Sequence, residues 1–388
     1  MVIRKQAGFT LVELMVTMVI FVFIIAAASN MFTGVLNQYK QQSKIAETNI
    51  EGNVGLQMLR TDIEQAGFGL PYSLDGVTYS EVPTGTRAAN YNDATDQPPR
   101  PFVMDDNVSD SNGGFNQSDV LVVKSTAITT ADAVHKWAYI SNIGIASGVA
   151  NNVLQTWTNK TGGAISDENL VSGTSGDKVV VLRPVSGGTQ NILVHSGGTF
   201  YATFDTDLSG TFPSAFQPSA NSYETYLVFG LAPSAITPRM PFNRADYYIS
   251  SSNVPSRCAP HTGVLVKSVI SQSNGSRDAG LPLLDCVADF QLAFAKVINN
   301  SESYATTLTG TADEMRSQLK EVRVYILAHE GQKDPFYSYP SSTVTIADPD
   351  VGVGTPLKTF DLNSVIGPSY VNYRWKLYTM VIRPFNLR

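Results

Sequence analysis

Cysteine is almost missing from this chain, with two residues in 388. That excludes a disulfide-dense scaffold, a four-cysteine zinc site and a C-x-x-C-H haem attachment. Histidine is scarce too: His135, His195, His261 and His329 are the whole supply. No two of them stand four apart and no H-E-x-x-H occurs, so each reads as a surface or satisfied core residue. Gly173-Thr174-Ser175-Gly176 is not a G-x-S-x-G elbow, and no glycine-rich phosphate loop is present. Charged residues make up only 15% of the chain, against the usual quarter. The 27 basic and 33 acidic residues leave a net charge of −6, which argues against a nucleic-acid partner. These shortages leave no catalytic centre and imply no cofactor. The apolar share of 43% is nevertheless enough to build a core.

What the chain does have is concentrated at its start. Residues 9–32, FTLVELMVTMVIFVFIIAAASNMF, carry one charge, Glu13. As a helix they span roughly 36 Å, enough to cross a bilayer. Arg4 and Lys5 precede them and acidic residues prevail after them, which predicts a cytoplasmic N-terminus and an exported remainder. A cleaved secretory signal would end near Ala26-Ala27-Ala28, but its apolar region would be overlong and broken by Glu13. A plain membrane anchor explains the length and leaves the glutamate unexplained. A carboxylate deep in lipid costs about 2.5–3.5 kcal/mol, so it needs a partner.

The segment GFTLVEL, Gly8 to Leu14, resembles the GFTLxE signature of type IV prepilins and type II secretion pseudopilins. The resemblance implies that a prepilin peptidase cuts between Gly8 and Phe9, and that Phe9 becomes the N-methylated first residue. Residues 1–8 are then a leader, and the apolar segment is retained. The new ammonium at Phe9 and the Glu13 carboxylate are each costly alone in lipid or in a filament core. Glu13 of one subunit is therefore expected to neutralise the Phe9 amine of its neighbour, fixing register more than adding stability.

The helix is expected to continue. No proline occurs between Thr33 and Ala66. Apolar residues recur at Leu36, Tyr39, Ile50, Val54 and Met58, and again at Leu56, Leu59, Ile63 and Ala66. Glu47, Glu51, Arg60, Asp62 and Glu64 are expected mostly on the wet face. Gly34, Gly52 and Gly55 read as weak points, each costing about 1 kcal/mol against alanine. Gly67 and Gly69-Leu70-Pro71 supply the stop. The chain thus divides into a leader (1–8), a membrane and filament-core half-helix (9–32), an amphipathic half-helix (33–66) and a β-rich globular domain (67–388).

Residues 68–118, rich in Gly, Pro, Asn and Asp, read as one long loop. β-rich runs follow at 119–125, 178–183, 192–195, 226–229, 244–249, 264–269, 287–297, 320–328 and 373–384. The loops 141–176 and 209–222 separate some of them. Alternation over 320–327 suits a half-buried strand, and Arg374, Lys376 and Arg383 read as a solvated face. The expected fold is α+β and pilin-like: the long helix packed on one antiparallel sheet with large insertions.

Four further segments, in order, resemble PilW-type minor pilins. They are LRTDIEQAGFG (59–69), LDCVADFQLAF (284–294), LKEVRVYIL (319–327) and YRWKLYTMVIR (373–383). Cys286 replaces the family's usual glycine, and Pro384-Phe385 interrupts its ending. The resemblance implies a non-enzymatic, membrane-anchored subunit of an initiating or tip complex at the inner membrane, then at the cell surface. Its implied partners are major and minor pilins and the prepilin peptidase. J-type pseudopilins share the plan and stand as the alternative, with a membrane-anchored binding domain behind them. In an exported domain Cys258 and Cys286 are expected to pair, contributing about 3–4 kcal/mol by loop closure. Asp205, Asp207 and Ser209, followed by Gly210, match the first half of a Ca²⁺ loop, but Phe216 stands where the bidentate glutamate belongs. A plain polar turn is the competing reading.

Overall fold

The computed structural model describes residues 8, 10–109, 114–146, 149–159, 161–185, 190–219, 224–351 and 357–387. Its first element is α1 (Leu11–Glu64), 54 residues long and about 80 Å at 1.5 Å per residue. The helix stops at Gln65, just short of Gly67, whose φ of +82° only glycine adopts freely.

The strands follow in chain order. They begin with β1 (Phe102–Val108), β2 (Ser118–Ser125), β3 (Trp137–Ala146), β4 (Val149–Gln155) and β5 (Lys178–Pro184). Next come β6 (Asn191–Leu193), β7 (Ala202–Thr203), β8 (Thr225–Ala232), β9 (Asn243–Ser250), β10 (Gly263–Val269) and β11 (Leu281–Ile298). The last are β12 (Ser301–Ala305), β13 (Leu319–Glu330), β14 (Thr343–Ile346), β15 (Lys358–Asp361) and β16 (Arg374–Ile382). Two short helices, α2 (Ala312–Gln318) and α3 (Leu362–Val365), complete the set.

All named pairings are antiparallel, but the strands form three sheets rather than the one expected. The eight-stranded sheet runs β1-β2-β9-β10-β11-β13-β16, with β12 beside β11. A six-stranded outer sheet runs β4-β3-β8-β5-β6, with β7 beside β5, and β14-β15 form a ribbon. The outer sheet draws β3 and β4 from the segment expected to be loop. Its signal there is weak because the buried Ala138, Ile140 and Asn142 alternate with outward residues in a run diluted by Ser, Asn and Gly.

The eight-stranded sheet carries the helix. Leu56, Leu59, Ile63 and Ala66 pack among Leu283, Phe290, Leu292, Val324 and Ile326. A second cluster joins Leu70, Leu74 and Tyr79 to Phe242 and to Val180, Leu182 and Phe229 of the outer sheet. Strand β13 is buried on both faces, not half-buried. Its Tyr325 and Leu327 are covered by Ile346 and Phe360 of the β14-β15 ribbon.

The stretch expected as one long loop is largely pinned, and it contains β1. Lys124, fully buried, reaches Glu81 at 2.9 Å and Asp93 at 2.7 Å. Arg244, equally buried, reaches Glu81 at 3.0 Å and Asp246 at 2.8 Å. Burial pushes the Asp93 carboxyl up, but the Lys124 and Arg100 charges prevail and hold it below its ordinary value.

Candidate functional site: the amino-terminal helix

The predicted cleavage bond joins Gly8, which is exposed, to Phe9, which lies outside the described residues, as do Arg4 and Lys5. Just beyond it Thr10 and Glu13 form a capping box. The Thr10 N–H donates to Glu13 Oε2 at 2.9 Å, and the Glu13 N–H donates to Thr10 Oγ1 at 3.3 Å. The carboxylate that looked stranded in sequence thus satisfies the first turn of its own helix.

The apolar turns that follow touch nothing in the chain. Leu11 is 77% exposed and Phe23 71%. The helix is long and apolar enough to cross a membrane, and its most apolar window is wholly unburied within the chain.

Lower down, α1 meets the sheet through two of the supposed weak points. A Cβ on Gly55 would lie 1.8 Å from the Leu283 carbonyl oxygen, and one on Gly52 would lie 2.8 Å from Leu284 Cδ1. Here the glycines let two backbones approach. Of the two apolar stripes, only the one through Leu56, Leu59, Ile63 and Ala66 is buried. The other stays open at Leu36, Tyr39, Ile50 and Val54, all exposed on the side away from the sheet, and only its last member, Met58, packs partly against the core.

Asp62 is the main residue that the sequence reading misplaced. It is buried, not on the wet face: Lys267 Nζ donates to its Oδ2 at 2.6 Å, and the Tyr247 hydroxyl donates to the same oxygen. Burial pushes its carboxyl pKa up, against the pull of Lys267 and Tyr247. The spacing held the clue, since Asp62 falls three residues after Leu59 and beside Ile63 on the buried stripe.

A third tie reaches α1 near the expected disulfide, which is present: Cys258 and Cys286 are joined, with Cα atoms 4.9 Å apart. Next to Cys258, Arg257 Nη2 donates to Glu51 of α1 at 3.2 Å and to Asp285 at 2.6 Å. His329 lies against the same loop, its Nε2 accepting the Ala259 N–H at 2.8 Å. Burial pushes its pKa down to about 3. The sulfurs of Cys258 and Cys286 and a ring nitrogen of His329 lie within 4.8 Å of one another. Both sulfurs are spent in the disulfide, so no thiolate faces a metal there.

The candidate calcium residues come together as a turn that satisfies itself. Asp207 Oδ1 accepts the Ser209 N–H at 3.0 Å, the Ser209 hydroxyl at 2.8 Å and the Gly210 N–H at 3.2 Å. Asp205 Oδ1 accepts the Asp207 N–H at 3.0 Å and the Ser172 hydroxyl at 3.1 Å. Arg374 and Lys376 are not simply solvated, because they pair with Asp334 at 2.9 Å and Glu330 at 2.6 Å. Arg383 likewise meets Glu321 at 2.9 Å.

Residues 3–29 match the family model of the prokaryotic N-terminal methylation motif. Among solved structures, a type IV-like pilin from Thermus thermophilus is similar at 12% identity and a TM-score of 0.21, over 38% of this chain and 69% of that one. No curated protein matches the sequence. This chain carries the N-terminal methylation motif of type IV prepilins, at the head of a long helix packed on antiparallel sheets.

Proposed function

We propose that the chain is a minor type IV pilin of PilW type, made as a membrane-anchored precursor and built into the pilus within an initiating or tip complex. The observation that carries this reading is the bare apolar half of α1. Burying it requires a bilayer first and other helices later. The PilW assignment gains support from the placement of its four segments. They are far apart in sequence, yet they fall on the end of α1 and on β11, β13 and β16, which are neighbours in one sheet.

In this reading the peptidase cuts after Gly8, with the N-terminus on the cytoplasmic side of the inner membrane, and Phe9 is methylated. Glu13 then exchanges its own N-cap for the Phe9 amine of the adjacent subunit. The capping box makes the wait tolerable, because the carboxylate is hydrogen-bonded before its partner arrives. The exposed stripe through Tyr39, Ile50 and Val54 offers a second helix a surface to pack on. The outer sheet, which contributes nothing to the core cluster beneath α1, is free to present an adhesive surface.

Glu13→Ala tests the mechanism. The variant is expected to be cleaved normally, shown by a mature N-terminus at Phe9 in mass spectrometry, and to be nearly absent from sheared pili. Wild-type incorporation would refute the exchange. Deletion of the gene separates pilus from secretion pseudopilus: lost piliation supports this reading, and lost protein secretion with intact pili supports the J-type alternative.

A further inference from the structure

The globular domain approaches α1 at a second place, well above the Gly55 seat. The turn after β13 runs back along the helix, and Gln41 Nε2 donates to the Lys333 carbonyl at 3.3 Å. Between them lies a groove of about 750 Å³, lined by Asn30, Thr33 and Gly34 of α1 and by Lys333, Pro335 and Phe336 of the turn. Phe336 is 94% exposed, and no large apolar side chain among the described residues is more so.

The height of this groove on the rod is informative. A hydrocarbon core of about 30 Å takes about 20 helical residues. Counted from Leu11, that length ends at Asn30, the first strongly polar side chain after Thr17 apart from Ser29. Asn30, at the upper end of the groove, therefore lies at the outer edge of the bilayer that α1 would span, and the turn bearing Phe336 faces the helix just beyond that edge. The local charge is also opposite to that of the chain. Lys40, Lys333 and Arg374 line the groove with a single acid, Asp334, which is tied to Arg374 at 2.9 Å. The chain as a whole carries −6. An apolar tip beside lysines that have no ion pair among the described residues is the chemistry of an anionic membrane surface.

We propose that the turn 332–336 is a membrane-surface contact, in which Phe336 enters the headgroup layer on the exported side while Lys40 and Lys333 face anionic phospholipid headgroups. It would hold the globular domain down on the bilayer while α1 is still anchored. The proposal rests on α1 spanning the membrane.

The test uses the full chain reconstituted in phosphatidylethanolamine vesicles with or without phosphatidylglycerol. The described residues contain no free cysteine, so Pro335→Cys gives a unique labelling site beside an intact Phe336. Ile143→Cys on the outer sheet, also exposed, is the control. With phosphatidylglycerol, an environment-sensitive dye at Pro335 is expected to shift to the blue and to be quenched by lipids spin-labelled near the headgroup, while the dye at Ile143 stays water-like. Adding Phe336→Ser should abolish the shift, and Lys333→Gln should lower the docked-to-undocked ratio about fivefold, the equivalent of about 1 kcal/mol per basic residue. If the chain floats with vesicles yet both dyes report water, the contact is overturned and the spanning helix stands. Quenching that follows protein density instead of phosphatidylglycerol content would also overturn it, in favour of a second copy. A chain that does not float overturns the spanning helix and the contact with it.

Discussion

The two halves of α1 bury the opposite of what their hydropathy suggests. The upper half is the most apolar stretch of the chain and touches none of it. The lower half carries Glu51, Asp62 and Glu64, and it is the part seated on the sheet. Within one unbroken helix, intramolecular burial is decided by shape and pairing: two glycines that admit a strand, an aspartate with a buried lysine, and an arginine tie. The upper half has no such devices. Its apolar surface is complementary to something outside the chain.

Gly55→Ala puts the largest strain on that contrast. Helix propensity alone favours alanine by about 1 kcal/mol. The seat demands the reverse, because the new methyl would fall on the Leu283 carbonyl. A loss of more than about 4 kcal/mol is expected in denaturant unfolding of the detergent-solubilised chain; a rise in stability would show that the glycine is incidental.

Asp62→Ala comes next, at about 3–5 kcal/mol, because it strands Lys267 in the interior. The double change with Lys267→Met should recover most of the loss, and failure to recover would locate the cost elsewhere.

Acidification has a smaller effect with a defined sign. Burial holds His329 near a pKa of about 3, below the 6.5 of the unfolded chain. Its contribution is complete above about pH 6.5 and drains away as the pH falls toward 3, amounting to about 2 kcal/mol lost at pH 5. His329→Gln, which keeps an acceptor for the Ala259 N–H, should flatten the unfolding profile over that interval.

The smallest stability effect belongs to the open stripe. Ile50→Ser and Val54→Ser should move unfolding by no more than about 0.5 kcal/mol. They should nevertheless reduce recovery of the chain in sheared pili. A large stability loss would mean that the stripe is internal after all.

Much of this was legible in the sequence where the signal is local. The apolar run, the GFTLVEL segment and the stop at Gly67 are each read within a few residues. The strands β2, β9, β10, β11, β13 and β16 announce themselves through concentrated apolar and β-branched residues. The misses share a cause, which is that the deciding partner is distant. Asp62 looked solvated because Tyr247 and Lys267 lie some 185 and 205 positions away. β13 looked half-buried because its cover, the β14-β15 ribbon, comes later in the chain. Of two equally regular stripes on α1, sequence could not choose which one the sheet takes. The glycines at positions 52 and 55 settle it, through a close approach that propensity reads only as weakness. At the head of the helix, Glu13 was recognised as needing a partner, yet the nearest one, Thr10, was overlooked in favour of a neighbouring subunit.

The close approach at Gly55 has one more consequence. It prevents α1 from turning about its own axis, so the direction in which Glu13 points is locked to the face of the globular domain. Forty-two positions separate the two residues. One residue added between them would swing the carboxylate through about 100° and lift it by about 1.5 Å, whereas seven would return it to within about 20° of its bearing. The rod therefore keeps phase as well as distance, and its length can drift only in steps of whole turns.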